Sequence, residues 1–258
     1  MKLRWRKLLW MLTALITGCA NPVRPTVVPL PRVEDRLVCP DNRRATRLVV
    51  MLPGLYDTPQ DFVKHGFVQA LRQQRIDADV VIPDLHFAYY ESRSVEQRLR
   101  EDVILPARAA GYREIWFAGI SLGGLGALLY TSQHPEEISG TILLAPYAGT
   151  EDVLKEIREA GGARAWALQS QSTEQQRGIW RWLVARQIRG LDKPLLMIGT
   201  GNDDRFLRDQ LLLTGLISPV MQFTAEGGHD WPTWLTLWVQ MLNSPQLQAY
   251  WRDDECRR

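Results

Sequence analysis

Residues 114–130 read EIWFAGISLGGLGALLY, and this stretch decides the fold. The run from Ile115 to Ala118 is short, apolar and rich in β-branched and aromatic residues, which is typical of a strand buried on both faces. The run from Leu122 to Tyr130 is apolar nearly all round and predicts a buried helix. Between them lies Ser121 in a G-x-S-x-G sequence. That sequence, set between a strand and a helix, predicts a sharp turn that exposes the serine hydroxyl at the carboxyl end of the strand.

Steric crowding explains why this turn has glycine at positions 119 and 123. A strained turn brings neighbouring backbone close, so that a Cβ atom two residues to either side of Ser121 would collide. The serine would also stand at the amino end of the helix, whose dipole favours developing negative charge. We therefore interpret Ser121 as a nucleophile, with a serine in a glycine-rich helix start as the alternative.

Other segments of the chain alternate between the two periods expected of strands and helices. Further apolar strands are predicted at Thr46–Leu52, Asp79–Leu85, Gly140–Tyr147, Pro194–Thr200 and Val220–Ala225. Helices are predicted at Asp61–Gln74, Val95–Ala110, Arg205–Thr214 and Trp231–Leu242. This alternation implies parallel βαβ units, so we expect one α/β domain over residues 46–243, with about six or more strands, mostly parallel, and helices on both faces.

Residues 150–190 do not fit the alternation, because the segment between two strands is too long for a simple crossover. Its helical periodicity includes Trp166, Trp180 and Trp182. We interpret it as a small helical cap at the site end of the sheet. The alternative is an ordinary pair of crossover helices that bury their tryptophans on the sheet.

The first eighteen residues are predicted to be a signal peptide. Four basic residues lie between Lys2 and Lys7, and an apolar run of ten residues, Leu8–Thr17, follows that is too short to span a bilayer as a helix. The run leads into Cys19 in a sequence that resembles the lipobox of bacterial lipoproteins, which implies a lipidated cysteine. Because Ala20 follows, the resemblance implies the outer membrane. A plain signal peptide and an uncleaved anchor are the alternatives.

Residues 19–45 are rich in proline and are predicted to be a tether, and residues 244–258 a C-terminal tail. The remaining cysteines, Cys39 and Cys256, could pair in an oxidising envelope, although their polar flanks also fit two free thiols. The net charge of +2, from 31 basic and 29 acidic residues without a dominant basic stripe, does not favour a nucleic-acid partner.

A serine nucleophile needs a base, and the histidine that stands out is His229. It follows the last predicted strand on two glycines, which allow the loop to fold back toward Ser121. The histidine needs a carboxylate to hold its tautomer, and the preceding strand ends in two candidates, Asp203 and Asp204. Two neighbouring side chains cannot both point into one cleft, so we expect the other to cap the following helix.

From Thr46 to Leu242 the chain resembles the α/β-hydrolase fold proteins of the esterase and lipase type, on its G-x-S-x-G turn, its Ser, Asp, His order and its Gly-Gly-His-Asp-Trp stretch. The resemblance favours Asp204 as the acid, with Asp203 as the alternative. It also implies an oxyanion hole made by the N–H of Leu122 and an N–H of the loop after the first parallel strand, which is Leu55. Proline replaces the histidine that this loop usually carries, and the N–H of Tyr56 is the other candidate donor.

The expected function is a lipid-anchored envelope hydrolase that cleaves a small-molecule or lipid carboxylic ester through an acyl-enzyme and needs no metal or cofactor. A thioesterase, amidase or peptidase would use the same residues. The alternative from another class is a non-catalytic scaffold that binds a partner through its Trp-rich surface.

Overall fold

The computed structural model describes residues 24–38, 44–74, 76–169 and 174–251. A seven-stranded sheet in the order β1-β3-β2-β4-β5-β6-β7 forms its centre. The strands are β1 Arg32–Asp35, β2 Arg47–Leu52, β3 Asp79–Pro83, β4 Glu114–Ile120, β5 Gly140–Leu144, β6 Leu195–Gly201 and β7 Gln222–Ala225. Strands β2 to β7 pair in parallel, which confirms the mostly parallel sheet that the sequence predicts.

Helices cover both faces of this sheet, also as predicted. They are α1 Pro59–Lys64, α2 Phe67–Gln73, α3 Phe87–Glu91, α4 Val95–Leu99, α5 Leu105–Ala109, α6 Leu122–Gln133, α7 Glu151–Glu159, α8 Ala163–Gln169, α9 Gln175–Ile188, α10 Leu207–Thr214, α11 Trp231–Leu242 and α12 Pro245–Trp251. A π turn, Arg100–Ile104, joins α4 to α5, and a 3₁₀ turn, Pro219–Met221, precedes β7.

The strand side chains divide the core into two apolar clusters because successive residues of a strand point to opposite faces. In β2, Leu48, Val50 and Leu52 pack with α3 to α10, whereas Val49 and Met51 pack with α1, α2, α11 and α12. The central strands are therefore buried on both sides, and their parallel pairing places the carboxyl ends of β2, β4, β6 and β7 at one edge of the sheet.

The tether prediction is wrong for the described residues 24–38. Strand β1 pairs antiparallel with β3, and Val33 lies opposite Ile82. The backbone before it is also bound, since the N–H of Leu30 donates to Asp102 Oδ2 at 3.0 Å. Alternating charged residues hide this edge strand from a search for apolar runs, because only its inner side is partly covered.

The tail prediction is wrong for residues 245–251. These residues form α12, and Leu247 and Trp251 are buried. The Trp251 ring packs edge-on against Trp116 with ring centroids 5.1 Å apart, and Cζ of Arg47 lies over the Trp251 ring, 5.5 Å from its centroid. The domain thus ends with a helix that closes the core of one sheet face.

Residues 151–188 form three helices, α7 to α9, that connect β5 to β6. Trp166 and Trp180 are buried in the same core cluster as α6. The start of α9, at Gln175 and Gln176, borders the cavity described below. The segment packs on α6 and has one end beside the site, and its interpretation as a cap stays a prediction.

The predicted signal peptide, the lipidation site Cys19 and the possible pair Cys39 and Cys256 lie outside the described residues. Within the described residues, none of the helices is long and apolar enough to cross a membrane.

Candidate active site

Ser121 occupies the turn between β4 and α6. Its φ of 50° and ψ of −115° place it in a strained region that non-glycine residues seldom adopt. A Cβ atom at Gly123 would overlap the carbonyl oxygen of Leu52, and one at Gly119 would overlap the carbonyl oxygen of Gly123. Both glycines are therefore required by close backbone approach, and the strained turn lifts Ser121 out of the strand at the carboxyl edge of the sheet.

His229 reaches Ser121 from the loop after β7. Its Nε2 atom lies 2.9 Å from Ser121 Oγ. The loop folds back at Gly227, whose φ is 115°. Phe206 and Trp234 hold the imidazole between their rings in edge-to-face contacts, with centroids 4.9 Å and 5.1 Å from it. The histidine is thus fixed by packing as well as by hydrogen bonds.

Asp204 lies on the other side of the imidazole. Its Oδ2 atom is 2.8 Å from His229 Nδ1, and its side chain is fully buried. Oδ1 accepts the N–H of Phe206 at 2.8 Å, and Oδ2 also accepts from Gln210 Nε2 at 3.2 Å. Burial by itself raises the pKa of Asp204, but the hydrogen bonds from His229, Phe206 and Gln210 outweigh it and hold that pKa below its usual value. The buried group is therefore kept as a carboxylate.

The neighbouring Asp203 is exposed and contacts the site only through its backbone, whose N–H donates to the Gly227 carbonyl at 2.9 Å. The helix cap expected from the second aspartate is not formed, since the described residues give α10 no side-chain cap. Oδ1 of Asp204 instead accepts the N–H of Phe206 in the turn before this helix. Asp230 instead caps α11 and accepts the N–H of Thr233 at 3.0 Å.

The two amides implied for an oxyanion hole come from separate elements beside Ser121. Leu122 begins α6, and Leu55 lies in the loop after β2; both line the same cavity as Ser121. A Cβ atom at Gly54 would lie 3.6 Å from Cβ of Ser121, so the loop passes close to the serine. Within the described ranges neither the N–H of Leu55 nor that of Leu122 has a hydrogen-bond acceptor. Their role as the oxyanion hole stays a prediction.

Asp57 is a residue of the site that the sequence interpretation did not single out. It ends the loop after β2, and its Oδ1 atom accepts the indole N–H of Trp231 at 3.2 Å. Burial raises the pKa of Asp57, and the nearby Asp61 adds to this, while the Trp231 hydrogen bond works against it. The sequence could have indicated Asp57, because it lies in the loop after β2 that also contains Leu55 and Tyr56.

The cavity beside Ser121 has a volume of about 620 Å³. Much of its wall is apolar and comes from α6 and the elements facing it: Leu122, Leu125, Leu129, Tyr90, Tyr147 and Phe206. Tyr90 is fixed there by its hydroxyl, which donates to the Leu122 carbonyl at 3.0 Å. The cavity can therefore take a substrate with an apolar group next to its reacting carbon.

The other three histidines are engaged elsewhere. His65 stacks on Trp231, and His86 is buried against Tyr89. His134 pairs with Glu96 at 2.6 Å at the end of α6. Together with two glutamates, His134 offers a cluster of possible metal ligands, but it lies about 20 Å along α6 from Ser121, at 1.5 Å per residue.

Residues 47–174 match a family model described as the alpha/beta hydrolase fold. Among solved structures, the chain is similar to an S-formylglutathione hydrolase from Staphylococcus aureus, at 13% identity and a TM-score of 0.55, over 84% of this chain and 97% of the other. It is also similar to Est1E from Butyrivibrio proteoclasticus, at 15% identity and a TM-score of 0.56, over 85% of this chain and 93% of the other.

A third similar structure is the fluorophosphonate-binding serine hydrolase F from Staphylococcus aureus, at 14% identity and a TM-score of 0.51, over 83% of this chain and 97% of the other. No curated protein sequence matches the chain. At these identities, the likeness shows a shared fold.

Proposed function

The chain is an α/β-hydrolase-fold protein, and we propose that it is a serine hydrolase that cleaves carboxylic esters through an acyl-enzyme. One observation carries the proposal. The buried Asp204 carboxylate, the His229 imidazole and the Ser121 hydroxyl form a continuous hydrogen-bonded chain with separations of 2.8 Å and 2.9 Å. This is the arrangement by which a serine is activated for acyl transfer.

In the proposed reaction, Ser121 Oγ attacks the ester carbon while its proton moves to His229 Nε2. The carbonyl oxygen gains the negative charge and accepts the N–H groups of Leu122 and Leu55. Collapse of this tetrahedral intermediate breaks the bond to the alcohol oxygen, which takes the proton from His229. A water molecule then attacks the acyl-enzyme by the same route and releases the acid.

Asp204 stabilises the imidazolium that forms in both steps, and its bond to Nδ1 leaves Nε2 facing the serine. Gln210 and the N–H of Phe206 keep this carboxylate oriented. The same residues would cleave thioesters, so the ester class is the part of the proposal that the p-nitrophenyl ester assay below tests.

We also propose that the protein is held in the bacterial envelope by a lipid on Cys19. The support is the short apolar run that ends at this cysteine. Replacing Cys19 with Ser is expected to abolish palmitate labelling and to release the protein from membranes or leave its precursor unprocessed. Unchanged labelling and fractionation would contradict the anchor.

The hydrolase is tested by intact-protein mass spectrometry after treatment with a fluorophosphonate, together with turnover of p-nitrophenyl esters of increasing acyl length. The wild type is expected to gain one adduct at Ser121. The Ser121→Ala and His229→Ala variants are expected to lose nearly all turnover, and the double variant to be little worse than either, because the residues act as a unit.

Ser132→Ala is the matched control, since Ser132 also lies on the α6 segment but only bonds the Leu129 carbonyl. It is expected to keep labelling and turnover. A folded wild type that is neither labelled nor active on any of these esters would replace the proposal with a non-catalytic scaffold.

A further inference from the structure

The amino-terminal segment of the described chain, residues 24–30, lies on α3 and the loop before it. The Val27 N–H donates to the Tyr89 hydroxyl at 2.8 Å, and this hydroxyl donates back to the Val27 carbonyl at 3.0 Å. Arg24 pairs with Asp84 at 2.8 Å. The segment is therefore fixed to the domain from residue 24 onward.

The other side of the same helix forms part of the cavity wall. Phe87, Tyr90 and Glu91 line the cavity, at the i, i+3 and i+4 spacing that shares one helix face. Tyr89, which holds the amino-terminal segment, is fully buried. Only the thickness of one helix, about 10 Å, therefore separates the amino-terminal segment from the cavity.

Exposed apolar side chains lie beside the cavity and also on the amino-terminal segment, across α3 from it. Tyr56 is 83% exposed and lies in the loop after β2, and Phe87 is 40% exposed and begins α3, which follows the neighbouring strand β3. On the amino-terminal segment, Val28 is 66% exposed and Val27 47%. We call Val27, Val28, Leu55, Tyr56 and Phe87 the apolar rim.

The length of chain between this rim and the proposed lipid is short. Cys19 and Arg24 are five residues apart in the sequence. Even a fully extended chain of that length spans at most about 18 Å. A lipid on Cys19 would thus hold the α3 side of the domain next to the bilayer, where a tether running to residue 45 would have left it free.

We propose that the apolar rim binds the lipid bilayer surface, so that the cavity beside Ser121 opens toward the membrane and takes lipid-borne esters from it. Apolar and aromatic side chains of this kind enter the headgroup region of a bilayer, and a second contact makes a single lipid anchor stable. The inference rests on the proposed anchor at Cys19 and, for the substrate class, on the proposed esterase function.

The test uses the full-length lipidated protein in vesicles of phosphatidylethanolamine and phosphatidylglycerol, with Cys39 and Cys256 replaced by Ser. A single cysteine carrying the environment-sensitive dye NBD is placed by Val28→Cys or Tyr56→Cys. Val220→Cys is the matched control, because Val220 is 60% exposed and precedes β7 at the opposite edge of the sheet.

The dyes at positions 28 and 56 are expected to shift their emission to the blue and to be quenched by doxyl-labelled lipids, while the dye at position 220 stays in water. Equal responses at positions 28 and 220, or a response at 220 alone, would overturn the proposal. Because this readout needs no catalysis, it can fail or succeed independently of the esterase assay.

A second measurement compares Val28→Asp with Val220→Asp. A charge at position 28 is expected to lower cleavage of a bilayer-resident ester roughly tenfold by weakening contact with the membrane. Cleavage of water-soluble p-nitrophenyl acetate is expected to stay unchanged in both variants. Equal cleavage of the bilayer-resident ester by the two variants would show that contact between the apolar rim and the membrane does not contribute to cleavage, and would overturn the proposal.

Discussion

Two adjacent aspartates, Asp203 and Asp204, have opposite environments at the end of β6. Asp204 is buried and receives three hydrogen bonds, whereas Asp203 faces solvent. The sequence restricts the choice to these two because both follow the glycine turn, but the backbone direction at that turn decides between them. The sequence of the turn therefore locates the acid to within one residue. The direction of each side chain can be read only from the folded structure.

Changing Asp204 to Asn is expected to lower kcat by on the order of a hundredfold or more, because the imidazole loses both its orienting bond and the charge that stabilises it. Asp203→Asn is the control and is expected to keep kcat within about twofold, the range of a surface change. Steady-state kinetics on one p-nitrophenyl ester decides the matter. Small, equal losses in the two variants would place the acid elsewhere.

Asp57 allows a prediction about pH and stability. Its pKa is raised in the folded protein, mainly by burial, so the folded state holds the proton more tightly than the unfolded state does. Its contribution to stability is therefore present at low pH and is lost as the pH rises through the raised pKa. Asp57→Asn is expected to gain stability relative to the wild type between about pH 4 and pH 7.

Urea unfolding at several pH values measures this difference. Asp61→Asn serves as the control of opposite sign, because the hydrogen bonds from Thr58 hold the pKa of Asp61 below its usual value despite the opposing effect of burial. Its stability relative to the wild type should instead fall as the pH rises to about 4 and stay level above that pH. A parallel change in the two variants would contradict the raised pKa of Asp57.

At the scale of single elements, the strand, turn and helix around Ser121 are the part most fully predicted by the sequence. Their apolar runs are uninterrupted, and one steric cause explains both glycines. Strand β1 and helix α12 were missed for the opposite reason. Each is short, and the partly buried positions of β1, Val33 and Asp35, alternate with the exposed Arg32 and Glu34, so only the tertiary partner makes the element stable.

Gly123→Ala is expected to disrupt the elbow, because its methyl group would overlap the carbonyl oxygen of Leu52. Activity and fluorophosphonate labelling should both be lost, and the melting temperature should fall. Gly178→Ala on α9 is the control. No atom lies within 4 Å of a Cβ atom there, so alanine should raise stability by about 0.5–1 kcal/mol through its helix propensity. Retained activity in Gly123→Ala would mean that the turn is looser than described.

At the scale of the whole molecule, the sequence predicts the fold class and the segments that form the central strands. It does not predict where the domain begins and ends. Its ends are set by contacts between distant residues. Arg47 of β2, for example, donates to the Tyr250 carbonyl near the end of α12 at 3.2 Å. Such contacts leave no periodic signal in either segment.

Trp251→Ala is expected to destabilise the domain by about 3–5 kcal/mol, because it removes a buried ring of α12 from the core. Chemical unfolding monitored by circular dichroism measures the loss. Tyr250→Ala is the neighbouring control, since its side chain is 38% exposed and should cost less. Similar small losses would mean that the last helix contributes little to the core.

The hydrogen bonds of the amino-terminal segment also impose an order on folding. The side-chain partners of Arg24, Val27, Leu30 and Leu37 lie between 42 and 72 residues further along the chain. During synthesis these first residues of the domain emerge well before the groups that receive them. The hydrogen bond of Leu30 cannot form until Asp102 has been synthesised. The segment beside the proposed anchor is therefore synthesised first and bound to the domain later.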